Sequence, residues 1–300
     1  MIVFDAARAD ATPALLGEGP VWDERRRRLI WIDIFGKAVH IAGPDGRHRG
    51  SFALPVMPGT AMPADDGRIL LATEDGFALL DDTGELEIVS DALQGMPDHR
   101  FNDGKTDPAG RVVVGTVSLS GRPDASALYT WEPGAGLRTL VPGVSLSNGL
   151  GWSPDGATLY FVDTPTGRVD AFDYDLGSGA VSRRRPFALI DGPGAPDGLT
   201  VDDDGGVWVA DYGGGRVIRF APDGRVDAIV IVPARHVTSC CFGGDGRRTL
   251  FITTASIDIP AEERHRRPAA GALHRVDVGR SGPAATPWPV MSSSHAERTA

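Results

Sequence analysis

The chain contains little cysteine, little lysine and no long apolar run, and each shortage excludes a class of protein. Cys240 and Cys241 are the only cysteines among 300 residues, so a disulfide framework and a zinc site built from four thiolates are both excluded. No stretch approaches the roughly 18 apolar residues of a membrane-spanning helix, and the N-terminal sequence lacks the basic and apolar regions of a secretion signal. We therefore expect a cytoplasmic protein with no membrane partner.

The two adjacent cysteines leave two interpretations open. Cys240 and Cys241 lie side by side inside a predicted strand, where they could form a vicinal disulfide or serve as two small buried residues. The second role is far more common for cysteines in a cytoplasmic protein, and we adopt it as the expectation.

Acidic residues outnumber basic ones. The chain has 40 Asp and Glu against 30 Lys and Arg, which gives a net charge of −10. Binding to nucleic acid requires a basic face that neutralises phosphates, so we expect no nucleic-acid partner. With 41% hydrophobic and 23% charged residues, the composition is that of a globular protein with an ample core.

A six-fold internal repeat is the strongest pattern in the sequence. In each copy an Asp/Gly-rich or otherwise polar turn leads into a short apolar strand that ends in Asp or Thr. The copies are Trp22–Asp33, Pro63–Thr73, Thr106–Thr116, Trp152–Asp163, Val201–Asp211 and Phe242–Thr254. Their spacing of roughly 40–48 residues is typical of four-stranded propeller blades. The sequence therefore predicts an all-β fold, a six-bladed β-propeller.

The segments around these repeats support the same fold. The apolar strand is read as the first strand of its blade, followed by a second, alternating strand such as Arg216–Phe220. Asp-Gly pairs, which favour hairpin turns, recur at 45–46, 66–67, 154–156, 204–205, 222–224 and 245–246. No segment longer than about ten residues has helical periodicity.

The two ends of the chain have separate predicted roles. We expect Thr12–Leu16 to add a strand to the last blade, which would close the ring of blades and remove its free edges. Residues 1–286 then form one propeller domain. Residues 287–300, which end in a polar sequence, are expected to form a flexible tail.

Six oxygen-bearing side chains occupy equivalent positions shortly before the repeats. They are Glu18, Thr60, Asn102, Asn148, Asp197 and Thr238. Because the innermost strand of each blade begins at the channel, these side chains should converge on the propeller axis. Carboxylate and amide oxygens suit Ca²⁺, Mg²⁺ or Mn²⁺, with Zn²⁺ a further option. Polar residues could also line a channel only because it holds water, but glycine follows both carboxylates and Asn148, and glycine lets backbones crowd close to an ion.

Arg100 stands two residues before Asn102, so in a strand both side chains point the same way. A guanidinium beside a cation site commonly binds a substrate oxygen or a developing negative charge. The alternative is a structural salt bridge to one of the many aspartates. No G-x-S-x-G motif occurs, and no two histidines are spaced for a zinc-protease helix, so serine-hydrolase and zinc-protease mechanisms are excluded.

Five motifs in register resemble a known family. The motifs GEGPVWD, RFNDGKTDPAGR, SNGLGWSPDG, PDGLTVDDDG and TSCCFGG are similar, in this order and spacing, to the regucalcin (senescence marker protein 30)/gluconolactonase family. The resemblance spans Glu18 to about Val276. It implies a six-bladed propeller that holds one divalent metal ion in its central channel.

The resemblance also assigns roles to individual residues. It implies that Glu18, Asn148 and Asp197 bind the metal ion, and that Asp197 is also the general base. Arg100 and Asn102 would contact the substrate. These roles agree with the convergence of side chains expected from the repeat.

The chain departs from the family pattern at one place. Related members have an acidic residue, which helps to bind sugar hydroxyls, shortly after the Gly-Thr pair of the third repeat. Here Gly115-Thr116 is followed by Val117, Ser118, Leu119 and Ser120. Ser120, with Ser118 as an alternative, is expected to take over substrate binding with weaker hydrogen bonds. We therefore expect less discrimination among sugar hydroxyl patterns, or a less hydroxylated substrate.

The sequence thus predicts a lactonase that uses one divalent metal ion, Ca²⁺, Zn²⁺, Mg²⁺ or Mn²⁺. The expected reaction is hydrolysis of a sugar lactone to the aldonic acid, with Asp197 as general base. One alternative is a hydrolase that acts on another ester or lactone or on an organophosphate. The other is a calcium-binding protein without turnover, against which Arg100 and Asp197 argue. The expected partner is a small lactone, and the chain is expected to be a monomer or a homodimer.

Overall fold

The structure is a computed structural model that describes residues 1–290. Within that range 25 strands form six sheets, and the innermost strands pack side by side in a closed ring in chain order. The prediction of an all-β six-bladed propeller is confirmed.

The first three blades are four-stranded antiparallel sheets that run outward from the channel. Blade 1 consists of β3 (Gly17–Asp23), β4 (Arg28–Asp33), β5 (Ala38–Ala42) and β6 (His48–Ala53). Blade 2 consists of β7 (Pro58–Pro63), β8 (Ile69–Thr73), β9 (Phe77–Leu80) and β10 (Leu86–Ser90). Blade 3 consists of β11 (His99–Thr106), β12 (Val112–Ser118), β13 (Ser126–Glu132) and β14 (Gly136–Val144).

The last three blades follow the same plan, with N-terminal strands added to two of them. Blade 4 consists of β15 (Ser147–Trp152), β16 (Thr158–Asp163), β17 (Arg168–Asp175) and β18 (Ala180–Leu189). Blade 5 consists of β19 (Ala195–Val201), β20 (Val207–Tyr212), β21 (Arg216–Phe220), β22 (Val226–Ile231) and β1 (Ile2–Asp5). Blade 6 consists of β23 (Val237–Gly243), β24 (Thr249–Thr254), β25 (Leu273–Asp277) and β2 (Ala7–Asp10).

The apolar strand of each sequence repeat is the second strand of its blade, not the first. β4, with the sequence RLIWID, and β8, with ILLAT, are buried along their whole length because each lies between two other strands of its sheet and between two blades. The innermost strand is more polar and precedes the apolar strand. The expectation that the apolar strand is the first strand of its blade is therefore wrong by one position.

The acidic residue that ends several repeats has a structural role. The carboxylate of Asp33 accepts hydrogen bonds from the backbone N–H groups of Leu15 and Leu16, at 2.8 and 3.0 Å. Asp163 does the same in blade 4, where its Oδ1 accepts the N–H of Leu146 at 3.0 Å. In both blades the carboxylate satisfies the backbone where the chain approaches the innermost strand.

The Asp-Gly pairs form turns as predicted. The glycine of each pair has a positive φ, between 64° and 92°, which only glycine adopts without strain. Helical structure within residues 1–290 is limited to three short 3₁₀ helices, Thr164–Thr166, Asp245–Arg247 and Ala261–Arg266. None of the helices in this range is long and apolar enough to cross a membrane.

The core is divided among the interfaces between adjacent blades. At the junction of blades 6 and 1, for example, Leu29 and Trp31 of β4 pack against Phe251 of β24 and Leu273 of β25. Cys240 and Cys241 are both buried in β23 and both are free thiols. The interpretation as two small buried residues is therefore confirmed.

The ring of blades closes through a different segment from the one predicted. β2 (Ala7–Asp10) pairs antiparallel with β25, and β1 pairs parallel with the outer strand of blade 5. The expected strand at Thr12–Leu16 does not form, because the chain must use these residues to travel from the outer edge of blade 6 to the channel, where β3 begins. Leu16 retains a single bridge, to Ala255.

The C-terminal segment extends the domain beyond the expected boundary at residue 286. Trp288 is only 5% exposed and stacks on Trp131 of blade 3. Its backbone N–H donates to the carbonyl of Pro63 at 2.8 Å, and its carbonyl accepts the N–H of Asp65 at 2.9 Å. Residues 287–290 are thus packed on the propeller, and residues 291–300 of the predicted tail lie outside the described residues.

Candidate active site

The six predicted positions lie where the register of each innermost strand slips. We call these six residues the ring; they are Glu18, Thr60, Asn102, Asn148, Asp197 and Thr238. In each blade the pairing of the innermost strand with the second strand shifts register at the ring residue or directly beside it. Such bulges re-aim side chains and are common beside functional sites. The bulges therefore coincide with the polar positions that the sequence predicts to face the channel.

Glycines after the ring residues let the innermost strands approach one another. A Cβ atom on Gly149 would lie 2.5 Å from the carbonyl oxygen of Asp197 and 2.6 Å from the backbone nitrogen of Leu199. A Cβ on Gly198 would collide with the side chain of Ser239. The close approach expected from the sequence is present, and only glycine permits it.

The two ring threonines connect neighbouring blades. The hydroxyl of Thr60 donates to the carbonyl of Gly104 in blade 3 at 2.8 Å. The hydroxyl of Thr238 donates to the carbonyl of Gly17, which joins blade 6 to blade 1. These hydroxyls bind backbone, which leaves the other four ring residues as the candidates for chemistry in the channel.

A chain of hydrogen bonds orients the two ring amides. Arg100 Nη1 donates to Asn102 Oδ1 at 2.8 Å, and Asn102 Nδ2 donates to Asn148 Oδ1 at 2.9 Å. Asn148 Nδ2 in turn donates to the hydroxyl of Thr164 at 2.8 Å. The network fixes the orientation of both amides, and the carbonyl oxygen of Asn148, which has a single donor, keeps one lone pair for a further partner. Arg100 and Asn102 also lie on the same side of β11, as the sequence predicts.

Three carboxyl groups are buried together in the channel. Glu18 and Asp197, from the ring, are 8% and 6% exposed, and Asp103 is 7% exposed. Burial, followed by the negative charge of Asp103, raises the pKa of Glu18 to about 8. Burial, followed by the charges of Glu18 and Asp103, raises the pKa of Asp197 well above its usual value. The protein alone therefore leaves these groups short of positive charge.

The donor set fits a hard divalent cation. Oδ1 of Asp197 is buried and has no hydrogen-bond partner, and Oε2 of Glu18 accepts the adjacent N–H of Gly19. A buried carboxylate oxygen without a partner is costly unless a cation or proton occupies its lone pairs. Among residues 1–290, no three His, Cys, Asp or Glu side chains are grouped so that they could hold a metal ion. The predicted ligand set is not of that kind, because it consists of two carboxylates and the amide of Asn148. The metal site stays a prediction.

Asp103 is a residue of the site that the sequence analysis missed. A regular strand would point it away from Asn102, but the bulge between Phe101 and Gly104 brings both residues to the channel side. Its Oδ1 accepts the N–H of Gly104 at 2.7 Å, and burial raises its pKa. The signal available in the sequence was the glycine that follows it, as glycine follows the predicted ligands.

Arg100 is buried without a direct ionic partner. It is 8% exposed, and its Nη1 donates to the carbonyl of Phe101 at 2.9 Å as well as to Asn102. Within the described part of the chain it forms no ion pair. Burial lowers its pKa, and the charges of Glu18 and Glu74 oppose that shift. The alternative of a structural salt bridge is therefore not what the structure contains.

Ser120 lies beside a carboxylate from a different strand. Its hydroxyl donates to Oδ2 of Asp98 at 2.8 Å, and the hydroxyl of Ser118 donates to the same oxygen at 2.8 Å. Asp98 directly precedes β11, two residues before Arg100. Asp98 precedes Ser120 by 22 residues in the chain, so the sequence that follows Thr116 gave no sign of this carboxylate.

Three further side chains form a cluster at the channel mouth, which is the end where the innermost strands begin. Tyr212 stacks on His236 with ring centroids 4.7 Å apart, and its hydroxyl donates to Asp258 at 2.9 Å. Burial and the charge of Asp258 raise the pKa of Tyr212, and Asp197 adds to the shift from nearby. This cluster borders the ring and was not identified from the sequence.

A cavity of about 220 Å³ lies on the other side of the ring from Arg100. The later halves of the innermost strands line the cavity with residues that include Trp22, Trp152 and Phe242. Residues 283–286 of the C-terminal segment also line it. Asp103 contributes to its upper end. The ring thus separates the channel mouth from a largely apolar space below.

Without a bound cation, the protein is expected to lose stability as the pH rises toward 8. The pKa of Glu18 in the folded chain is about 8, whereas the ordinary pKa of a glutamate is 4.5. Between these values the folded state binds more protons, so raising the pH lowers the free energy of unfolding. We expect the melting temperature of chelator-treated protein to fall from about pH 5 to about pH 8. In Glu18→Gln the fall should be smaller, and in Glu85→Gln, a change at an exposed position, it should be unaltered. Equal slopes in all three proteins would contradict the prediction.

Comparisons with known proteins find relatives along the whole propeller. The family model described as SMP-30/Gluconolactonase/LRE-like region matches residues 16–256. A putative sugar lactone lactonase of Bacillus subtilis is 36% identical over 284 residues, which are 93% of this chain and 97% of that protein. Regucalcin of Danio rerio is 37% identical over 265 residues, 87% of this chain and 90% of that protein. A solved structure described as a calcium-binding protein, regucalcin, from Agrobacterium tumefaciens has a TM-score of 0.90 at 29% identity, and covers 97% of this chain and 100% of its own.

Proposed function

The chain belongs to the SMP-30/gluconolactonase/LRE-like family, and on that premise we propose that it hydrolyses a sugar lactone with the help of one divalent cation. The observation that supports the proposal most strongly is the unpartnered Oδ1 of Asp197, buried among carboxylates in the ring. Sugar lactone hydrolysis is the activity named for the putative lactonase of Bacillus subtilis, which shares 36% of its residues with this chain.

We assign the cation to Glu18, Asn148 and Asp197. Their carboxylate and amide oxygens suit Ca²⁺, Mg²⁺, Mn²⁺ or Zn²⁺. When bound there, the cation supplies Lewis acidity, which polarises the lactone carbonyl and stabilises the oxyanion. The calcium-binding description of the regucalcin structure agrees with a divalent ion of this kind.

Asp197 is the proposed general base. A carboxylate has two oxygens with about four lone-pair sites, so the Asp197 carboxylate can bind the cation and still take a proton from the attacking water. Burial raises the pKa of Asp197, which makes its carboxylate a stronger base than an exposed aspartate. A cation bound beside Asp197 would lower that pKa again. The water oxygen bonds to the carbonyl carbon, the bond from that carbon to the lactone ring oxygen breaks, and the released oxygen takes the proton held by Asp197 to become a hydroxyl. Ionisation of the new carboxylic acid then gives an aldonate and one proton.

Arg100, Asn102 and Ser120 are the proposed substrate contacts. Arg100 is held in place by hydrogen bonds to Asn102 and to the carbonyl of Phe101, and it forms no ion pair with any residue in the range 1–290. It can therefore hold a ring or carbonyl oxygen and support the negative charge that develops there. We further propose that the chain acts in the cytoplasm as a monomer or homodimer.

A second candidate is a calcium-binding protein without turnover, which the description of the Agrobacterium tumefaciens structure favours. A hydrolase of another ester, lactone or organophosphate could use the same side chains. The direct test is proton release from a panel of aldonolactones and simple esters, measured with native protein, with chelator-treated protein and after addition of each cation. Lactone hydrolysis that disappears with chelator and returns with a cation supports the proposal. Cation binding without hydrolysis of any substrate would favour the binding protein.

A further inference from the structure

We propose that Asp98 binds a hydroxyl group of the substrate at the channel mouth and thereby supplies the carboxylate that the sequence lacks after Thr116. The inference rests on the proposed function, because it identifies the substrate as a hydroxylated ring. It makes Asp98 a specificity-determining residue contributed by a different segment from Ser120.

The backbone places Asp98 at the mouth. Its carbonyl accepts the N–H of Leu119 at 2.7 Å, so the pairing between β11 and β12 continues past the end of both strands. Arg100 follows two residues later, at the start of the innermost strand of blade 3. Asp98 therefore lies at the same end of the channel as the predicted substrate contacts.

The side chain of Asp98 is held by four groups. Oδ2 accepts the hydroxyls of Ser118 and Ser120, both at 2.8 Å, and the guanidinium of Arg122 through Nη2 at 2.9 Å and Nε at 3.2 Å. Oδ1 accepts the backbone N–H of Ser120 at 3.0 Å. The two hydroxyl donors, more than Arg122, hold the pKa of this carboxyl well below its usual value, so the group is ionised.

One acceptor position on this carboxylate remains free. Each carboxylate oxygen has about two lone-pair sites; those of Oδ2 are occupied, whereas Oδ1 has a single donor, the N–H of Ser120. The side chain of Asp98 is 30% exposed, so a ligand at the mouth can reach it. Ser118 and Ser120 donate their hydroxyl hydrogens to Asp98, so these hydrogens are not available to a substrate. Asp98 itself is the charged acceptor that a substrate hydroxyl can reach.

This placement changes the expected specificity. A hydrogen bond from a hydroxyl to a carboxylate is about twice as strong as one to a neutral group. With Ser120 alone, we expect the enzyme to discriminate weakly among sugar hydroxyl patterns. With Asp98 in the site, we expect it to prefer strongly a substrate that has a hydroxyl directed at Asp98. A removed or inverted hydroxyl would leave the Asp98 oxygen without that partner, at the cost of desolvation.

The competing role for Asp98 is purely structural, since its bonds to Ser118, Ser120 and Arg122 also shape the loop after β12. The two roles predict different results for Asp98→Asn. Loss of a loop contact would reduce stability and would affect every substrate equally. Loss of a hydroxyl acceptor would reduce affinity only for substrates that have the hydroxyl. Asp124→Asn is a matched control. Asp124 is an exposed aspartate in the same loop after β12 as Ser120, and its carboxylate accepts a hydrogen bond from the hydroxyl of Ser145.

The experiment compares hydroxylated and deoxygenated ligands in wild type, Asp98→Asn and Asp124→Asn. KM and kcat are measured for an epimeric set of aldonolactones and for the corresponding deoxylactones. Binding of 1,5-anhydroglucitol, a ring polyol that cannot be hydrolysed, is measured by calorimetry. For Asp98→Asn we expect KM and the polyol dissociation constant to rise by about 10- to 100-fold for one epimeric series, with deoxylactones unchanged. Asp124→Asn should behave as wild type.

Two failures can be told apart. If wild type hydrolyses no lactone, the proposed function fails, and Asp98 is then judged by polyol binding alone. Three results would each overturn the role of Asp98. The first is that Asp98→Asn loses affinity equally for hydroxylated and deoxygenated ligands, and the second is that it loses no affinity. The third is that wild type neither binds the polyol nor prefers hydroxylated lactones. A fall in melting temperature with unchanged ligand selectivity would establish the loop contact instead.

Discussion

Replacement of Asp197 by alanine is expected to abolish lactone hydrolysis. The substitution removes the proposed general base and one of three proposed cation ligands at once. General-base catalysis alone contributes about 10²- to 10⁴-fold, and loss of the bound cation adds to that. We therefore expect kcat/KM for the best lactone to fall by at least about 10³-fold. The measurement is proton release per folded molecule, with folding verified by circular dichroism.

A matched substitution separates this effect from damage to the blade. Asp223 lies in the exposed turn between β21 and β22 of the same blade, where its carboxylate pairs with Arg225. Asp223→Ala should keep the wild-type rate. Because the Asp197 carboxyl is buried with a raised pKa, its removal can even stabilise the cation-free protein. An Asp197→Ala variant that retains a near-wild-type rate would exclude the proposed mechanism.

Arg100→Ala is expected to give the second largest effect. The guanidinium is buried, fixed by Asn102 and free of any ion pair with residues 1–290, so its charge is available to the transition state. Loss of such a group costs about 2–4 kcal/mol of transition-state stabilisation, which is about 30- to 800-fold in kcat/KM. Arg100→Lys should recover part of the rate, because it restores the charge without the planar geometry.

The structural interpretation of Arg100 predicts the opposite pattern. If the side chain served only to hold Asn102 and the Phe101 carbonyl, the melting temperature would fall while the rate per folded molecule stayed constant. Arg225→Ala, at an exposed position of blade 5, provides the control for a general loss of positive charge. Equal rates for Arg100→Ala and Arg225→Ala would show that Arg100 does not contact the substrate.

Local sequence signals were sufficient for the architecture because each blade is built from the same short pattern. The Asp-Gly turns and the apolar second strands are set by residues close together in the chain, and a repeat multiplies their signal. The repeat also predicts that Glu18, Asn148 and Asp197 converge, since equivalent positions in a closed array should face the same axis.

The rest depended on features that no local pattern contains. Asp103 reaches the channel because the strand bulges at Asn102, and alternation alone would have pointed one of the two away. Asp98 meets Ser120 across the ends of two strands, 22 residues apart in sequence. The true closing strand, β2, is only four residues long, and its sequence, ARAD, contains none of the β-branched or aromatic residues that favour strands. Each of these depends on contacts between distant parts of the chain.

The most direct test of the central claim is to locate the cation. Crystals of the protein grown with Mn²⁺ would give an anomalous signal at the ion. The account predicts one site on the propeller axis, with oxygen atoms of Glu18, Asn148 and Asp197 at about 2.0–2.6 Å and water at the remaining positions. An ion bound elsewhere, or a structure in which these three side chains lie more than about 3 Å from any shared position, would contradict it.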